Sequence, residues 1–220
     1  MKAFVFLCFV TVAANATDTF GGTTGGPGGG YSSPPTKDVL CSYIYNPDEQ
    51  MDDVGASFSE YATIDDYDGP AGDIESYTCW GISQSSPPST LDLLVVEDFS
   101  NRPAGSPVSS YSYDVNPVNS GYTYGGYTIW VVVLDLSANP LAVDSRVWLG
   151  TYRNDGSSWY PMGGTTVEVH ETEGYRTVAE GWQWEPFSDS LEAGSLFQII
   201  QGTPGSTLHR NTWATIKNMY

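Results

Sequence analysis

The stretch Ile64–Gly81, IDDYDGPAGDIESYTCWG, changes its chemistry halfway along, and that change restricts the fold more than any other feature of the chain. In the first half, Asp65, Asp66, Tyr67 and Asp68 lead into Gly69, Pro70 and Gly72. Gly tolerates positive φ and Pro fixes φ while lacking a donor, so this half punctuates a turn. The second half alternates. Ile74, Ser76, Thr78, Trp80 and Ile82 point one way, and Glu75, Tyr77, Cys79 and Gly81 the other, which is the period of a half-buried strand. An acidic turn that runs straight into a period-two strand commits this part of the chain to β structure.

The same alternation of short β runs and turn clusters continues in both directions. Val39–Tyr45, Ala56–Ile64, Ile74–Ser83, Thr90–Glu97, Pro107–Val115, Tyr127–Leu136, Arg146–Arg153, Ser157–Pro161, Val178–Trp184 and Leu196–Gln201 are the candidate strands. TLDLLVVE at Thr90–Glu97 is almost continuously apolar, as a strand covered on both faces requires, and YTIWVVVLDL at Tyr127–Leu136 is the best sheet core. Asn154-Asp155-Gly156, between two of these runs, is the strongest short hairpin signal. With Gly 24 and Pro 14 concentrated between the runs, the pattern predicts an all-β antiparallel sandwich, with a closed barrel as the alternative. Only Thr212–Tyr220 reads as a helix, short and C-terminal, with Trp213, Ile216 and Tyr220 near one face.

Ahead of these runs, Met1–Ala16 has an early cation at Lys2, an apolar run and the small-residue ending Ala14-Asn15-Ala16, which predicts a secretory signal peptide. The apolar run is shorter than the roughly 20 residues that span a bilayer, so export without a retained membrane anchor is expected. Residues 17–37, rich in Gly, Thr, Ser and Pro with almost no aliphatic side chains, read as a flexible linker, because they bury too little to offset their ordering entropy. Residues 38–220 are then one domain. The chain carries 26 Asp+Glu against 8 Lys+Arg, a net charge of -18. Such a surface repels a phosphate backbone, which argues against nucleic acid as a partner.

Resemblance to a known group of domains enters through these same residues. A strand ending in Asp65, Asp66 and Tyr67, then a Pro/Gly turn, then an alternating strand closing in Trp80-Gly81, resembles the opening of jelly-roll-like β-sandwich domains of bacterial secreted and cell-surface proteins. The tail is similar too, with a strand and a Gly-Thr-Pro turn at Phe197–Pro204 and a Trp-x-x-Ile-Lys segment at Trp213–Lys217. Tyr67 stands where Phe is usual. The resemblance covers Ala56–Tyr220 and implies an extracellular module without assigned catalysis; it brings no catalytic residues with it.

Chemistry-bearing constellations are few. His170 and His209 sit in polar segments, and no Gly-x-Ser-x-Gly elbow occurs, so nucleophilic hydrolysis lacks its usual parts. Calcium fits the composition better, since it takes clustered carboxylate and carbonyl oxygens from loops. Asp65, Asp66, Asp68 and Asp73 form one candidate cluster, and Asp48, Glu49, Asp52 and Asp53 another; turn-capping by the same side chains is the alternative. Cys41 and Cys79 lie in strand-like segments of an exported chain, so a disulfide is expected; it would close a loop of about 40 residues and contribute about 3–4 kcal/mol. Two separate buried thiols are the alternative. Trp80, Trp130 and Trp148 fall inside strands and read as core, whereas Trp159, Tyr160, Trp182 and Trp184 sit beside loops in polar company and offer a ligand-binding surface.

Three functions are compatible with these features. The first is a non-catalytic extracellular β-sandwich with a structural or adhesive role on the cell surface or in a secreted matrix, its partner an extracellular glycan or protein. The second is a carbohydrate-binding module using Trp159, Tyr160, Trp182 and Trp184. The third is a secreted hydrolase drawing on two of the many carboxylates.

Overall fold

The computed structural model describes residues 37–43, 51–53, 61–144, 146–153, 155, 157–164, 174–179, 182–186 and 194–205. Within them the chain forms two sheets, antiparallel throughout, and no helix. The larger sheet runs in the order β1 (Asp38–Tyr43), β15 (Gln198–Pro204), β4 (Gly72–Ile82), β11 (Tyr160–Gly164), β14 (Ser195–Leu196). To this path β8 (Tyr127–Asp135) and β9 (Leu141–Val143) add along β4, β7 (Val118–Tyr124) along β8, and β2 (Met51–Asp53) along β11. The smaller sheet runs β13 (Gln183–Pro186), β12 (Tyr175–Ala179), β3 (Thr63–Tyr67), β10 (Val147–Tyr152), β5 (Thr90–Glu97), β6 (Ser109–Asp114). The expected C-terminal helix at 212–220, the signal segment and the linker at 17–36 lie outside the described residues.

Strand β4 is the axis of the larger sheet. One of its edges pairs with β15 and then, at Gly81 and Ile82, with β11; the other pairs with β9 and then with β8. The turn 68–71 that precedes it carries the chain from β3 in the smaller sheet to β4 in the larger one. Its alternation is broken once. Ile74 faces Gly202 and Ser76 faces Gln201, so Glu75 is an extra residue, a bulge. In consequence Ile74 joins the cluster of Tyr77 and Cys79 rather than that of Trp80 and Ile82, which corrects the strict two-face assignment made from the sequence. The bulge also brings the backbones together. A Cβ on Gly202 would run into the Asp73 carbonyl, so only glycine fits opposite it.

Side chains of both sheets meet in one apolar cluster. Leu91, Leu93 and Val95 of β5 share it with Tyr77 of β4, Val132 of β8 and Ile200 of β15. On β5 the next residue, Val96, belongs to a separate cluster with Ile64, Trp148 and Tyr175 on the opposite face of the smaller sheet. This two-sided burial is why TLDLLVVE is apolar nearly throughout. The larger sheet has an opposite-face cluster as well, from Trp80, Ile82, Ile129, Phe197 and Ile199.

Two loops depart from the sequence reading. Asn154-Asp155-Gly156 does not close a hairpin, because β10 and β11 lie in different sheets. A buried Arg153 takes the chain elsewhere: its Nε bonds Asp155 Oδ1 at 2.8 Å and its Nη1 donates to the Ser86 carbonyl at 3.0 Å, pinning this loop to the one after β4. The tight hairpin is instead β7–β8, where Tyr124 faces Tyr127 across Gly125 and Gly126 at φ 57° and 86°, the left-handed geometry that a two-residue turn demands.

Of the predicted strand Ala56–Ile64, residues 56–60 lie outside the described residues; within them β3 runs Thr63–Tyr67, beyond the predicted end, and takes in Asp65 and Asp66. Asp65 is fully buried. Its Oδ2 accepts the Leu196 N–H of β14 at 2.8 Å and its Oδ1 accepts the Asp66 N–H at 2.9 Å, so one carboxylate ties the smaller sheet to the larger.

The expected Cys41–Cys79 bridge is absent; both cysteines are reduced and buried. Register explains why. Cys41 faces Ile200 and Ile200 faces Tyr77, so β15 lies between the two cysteines' strands. Two strand spacings put their backbones about 10 Å apart, beyond the ~7 Å that a disulfide reaches. Each thiol has its own partner: Cys41 Sγ donates to Asp68 Oδ1 at 3.4 Å and Cys79 Sγ to Thr151 Oγ1 at 3.8 Å. Burial pushes the Cys79 thiol up to about 12.

Two outcomes follow from these contacts. Asp65→Ala should lower the free energy of unfolding by about 1–3 kcal/mol, the cost of orphaning buried donors, while Asp73→Ala stays within about 0.5 kcal/mol in the same denaturant titration. Alkylation at neutral pH should leave Cys41 and Cys79 unmodified in the folded protein and modify both in denaturant without reductant, read by mass spectrometry.

Candidate functional site

Among the described residues, the acids singled out in the sequence do not converge. Asp65 and Asp66 are adjacent in a strand, so they point to opposite faces: Asp65 toward β14, and Asp66 toward Arg146, whose Nε lies 3.6 Å from Asp66 Oδ2. Asp68 accepts from the Cys41 thiol, and Asp73 is exposed near the start of β4. In the second cluster, Asp52 and Asp53 belong to β2, while Asp48 and Glu49 lie outside the described residues. Among the described residues no group of three or more His, Cys, Asp and Glu is placed to hold a metal ion. His170 and His209 also lie outside them.

At the start of β4, an open depression of about 660 Å³ is lined by Gly72, Asp73, Val143, Asp144, Thr203 and Pro204. Beside it, Thr203 Oγ1 donates to Glu75 Oε1 at 2.7 Å, and Lys37 Nζ lies 3.4 Å from Glu75 Oε2. The threonine hydroxyl first, and Lys37 after it, hold the Glu75 carboxyl below its ordinary value.

The four loop aromatics separate. Trp159 is fully buried in the shared core, its ring against Gly81 and its Nε1 donating to Thr151 Oγ1 at 3.0 Å. It is therefore withdrawn from any ligand surface. Gly81 leaves the space that the indole fills, which is why a tryptophan flanked by serines and a Tyr-Pro pair ends up inside. Tyr160 is half-buried against the Trp80 cluster. Trp182 and Trp184 stay together at the β12–β13 hairpin, half-exposed, with ring centroids 5.9 Å apart and planes 30° from parallel.

What holds this pair comes from residues that the sequence reading did not assign to a ligand surface, among them Trp148, read there as core. Trp184 packs on the cluster of Ile64, Val96, Trp148 and Tyr175, the last two edge-to-face at 5.1 Å. Its Nε1 donates to the Gly105 carbonyl in the β5–β6 loop at 2.8 Å. The same loop is fastened twice more: Trp148 Nε1 donates to Asp98 Oδ1 at 3.0 Å, and Arg146 Nη1 to Asn101 Oδ1 at 3.0 Å. Ser100 and Asn101 turn its tip at φ 57° and 64°, leaving Phe99 73% exposed. A signal was present in DFSNRPAG, where a turn-forming Ser-Asn follows a lone aromatic.

Trp182 itself sits at φ 57°, a conformation rarely adopted by bulky residues. Such strain is maintained by surrounding structure and clusters at ligand clamps and switch regions. The arrangement presents two aromatic faces, 5.9 Å apart, beside a loop held by side-chain hydrogen bonds.

The acidic limb of stability offers a test of the Glu75 contacts. A lowered carboxyl contributes stability that is complete above its ordinary value of 4.5 and is lost as pH falls through the lowered one. Thr203→Val should therefore reduce the melting temperature above pH 4.5 and converge with the native protein at lower pH. Set against family models, curated proteins and solved structures, the chain matches none.

Proposed function

We propose that this chain is a non-catalytic extracellular module, a β-sandwich of jelly-roll-like kind, with a structural or adhesive role on the cell surface or in a secreted matrix. The two antiparallel sheets around a shared apolar core support the sandwich. Export rests on the signal-like N-terminus and the Gly/Thr/Pro-rich linker of the sequence. The observation that carries the adhesive role is the Trp182–Trp184 pair, half-exposed and fastened through Gly105 to the loop that bears Phe99. Rigid amphipathic rings lose little entropy on contact and supply most of the energy at small interfaces.

The second reading, a carbohydrate-binding module, is favoured by the same two indoles, whose faces suit the apolar side of a sugar ring. The net charge of -18 directs it toward neutral or cationic glycans. Trp159, being inside, takes no part.

Pull-down on insoluble neutral polysaccharides and on extracellular matrix protein, with the native protein and with Trp182→Ala/Trp184→Ala, tests both readings. Loss of about 2 kcal/mol, some thirtyfold in affinity, is expected for whichever class binds. Binding to neither class, or binding unchanged in the double variant at unaltered melting temperature, overturns the assignment of this surface.

A further inference from the structure

We propose that β6 is an assembly edge through which two copies of this chain join, strand to strand, about a two-fold axis at Ser112. Among the described residues, strand β6, SSYSYD, is the last strand of the smaller sheet and pairs with β5 alone. Its ladder is regular from Thr90↔Asp114 to Val95↔Ser109, without a register shift. The strand contains no Pro, Lys, Arg or Gly and is exposed along most of its length; its one charge is Asp114 at the end, and among the described residues no strand covers its outer edge.

The hydrogen-bond phase decides which groups face outward. Val115 N–H bonds the Ser89 carbonyl at 2.9 Å, and the register then makes Tyr113, Tyr111 and Ser109 the residues bonded to β5. Ser110, Ser112 and Asp114 consequently direct their N–H and C=O groups away from the sheet. Val108 N–H also bonds the Val95 carbonyl, which bulges the strand entry and ends the usable edge there.

A second copy fits this edge because the segment is complementary to itself. An antiparallel pair of identical strands must place an outward-bonding residue opposite an outward-bonding one. With Ser112 facing Ser112, Ser110 faces Asp114 of the other copy and Tyr111 faces Tyr113. Each of the outward residues then exchanges both backbone bonds. The Tyr111–Tyr113 contacts are cross-strand aromatic pairs, and they cover Tyr111, now 37% exposed. Charge favours this register. The rest of a chain at net charge -18 repels its copy, whereas this edge carries one acid, Asp114, and the register keeps the two Asp114 carboxylates at opposite ends facing serines. One strand edge is a small contact, so the association is weak and concentration-dependent.

Sedimentation equilibrium of the secreted chain from about 5 to 500 µM tests the proposal, with dimer expected to grow in over that range. Ser112→Pro removes an N–H that points away from β5, and Ser112→Lys sets two cations face to face at the axis. Both should shift the equilibrium at least tenfold toward monomer at unchanged melting temperature, while Ser112→Ala, which keeps the backbone bonds, leaves it alone. Should Ser112→Pro destabilise the fold, Ser112→Lys alone decides. A native protein that is monomeric throughout, a dimer indifferent to both variants, or a dimer abolished instead by deleting residues 17–36 overturns the proposal.

Discussion

A carboxylate cut off from water must find its donors inside the protein, and Asp65 finds them on two strands of two sheets. The Leu196 N–H from β14 and the Asp66 N–H from its own strand converge on it. Apolar contacts between the sheets are indifferent to small translations, whereas a buried hydrogen-bonded acid is not: it has one satisfied position. Residue 65 therefore fixes how β3 stands against the larger sheet. Through β3's neighbours β10 and β12, it fixes where Trp148, Arg146 and the Trp184 hairpin stand as well.

The outer face of the smaller sheet is built on that placement. Row by row, Asp66 lies beside Trp148 and Trp148 beside Val96. Arg146 spans from Asp66 to Asn101, joining a buried acid to an exposed loop. The exposed aromatics at Phe99 and Trp182 thus stand on a connected frame of indole, guanidinium and carboxylate groups. Under the proposed binding role, a surface fastened in this way would meet a ligand already ordered, which lowers the entropic cost of contact.

How much of this could be read beforehand depended on whether a residue's neighbours in sequence resemble its neighbours in space. Thr90–Glu97 was legible to the residue because burial on both faces leaves an unbroken apolar run. The β7 strand was not, since VNSGYTY is half-exposed and rich in turn formers, and only its pairing with β8 makes it a strand. Asp65 and Asp66 looked like a turn because their partners, Leu196 and Arg146, are remote in the chain. The Asn-Asp-Gly segment misled for a like reason, since Asp155 bonds a buried arginine and the strands on either side lie in different sheets. For the site, Trp182 and Trp184 could be named from their polar surroundings, but Asp98, Asn101 and Arg146 become visible only when the β5–β6 loop is folded back onto β10.

The pairing of the first strand with the last described one determines how the domain bears mechanical load. Asp38, where β1 begins, lies opposite Gly202 near the end of β15, and Tyr43 lies opposite Gln198. Tension between residues 38 and 205 consequently enters and leaves at the same end of this strand pair. It opens the backbone bonds in succession, as a zip opens, instead of shearing them together. Leu40 and Cys41, anchored in the shared core, are met early in that sequence, and their extraction sets the first resistance. Pulled from residue 38, the domain would lengthen by releasing β1 while the pairing of β15 with β4 stays intact, giving under strain before it gives way.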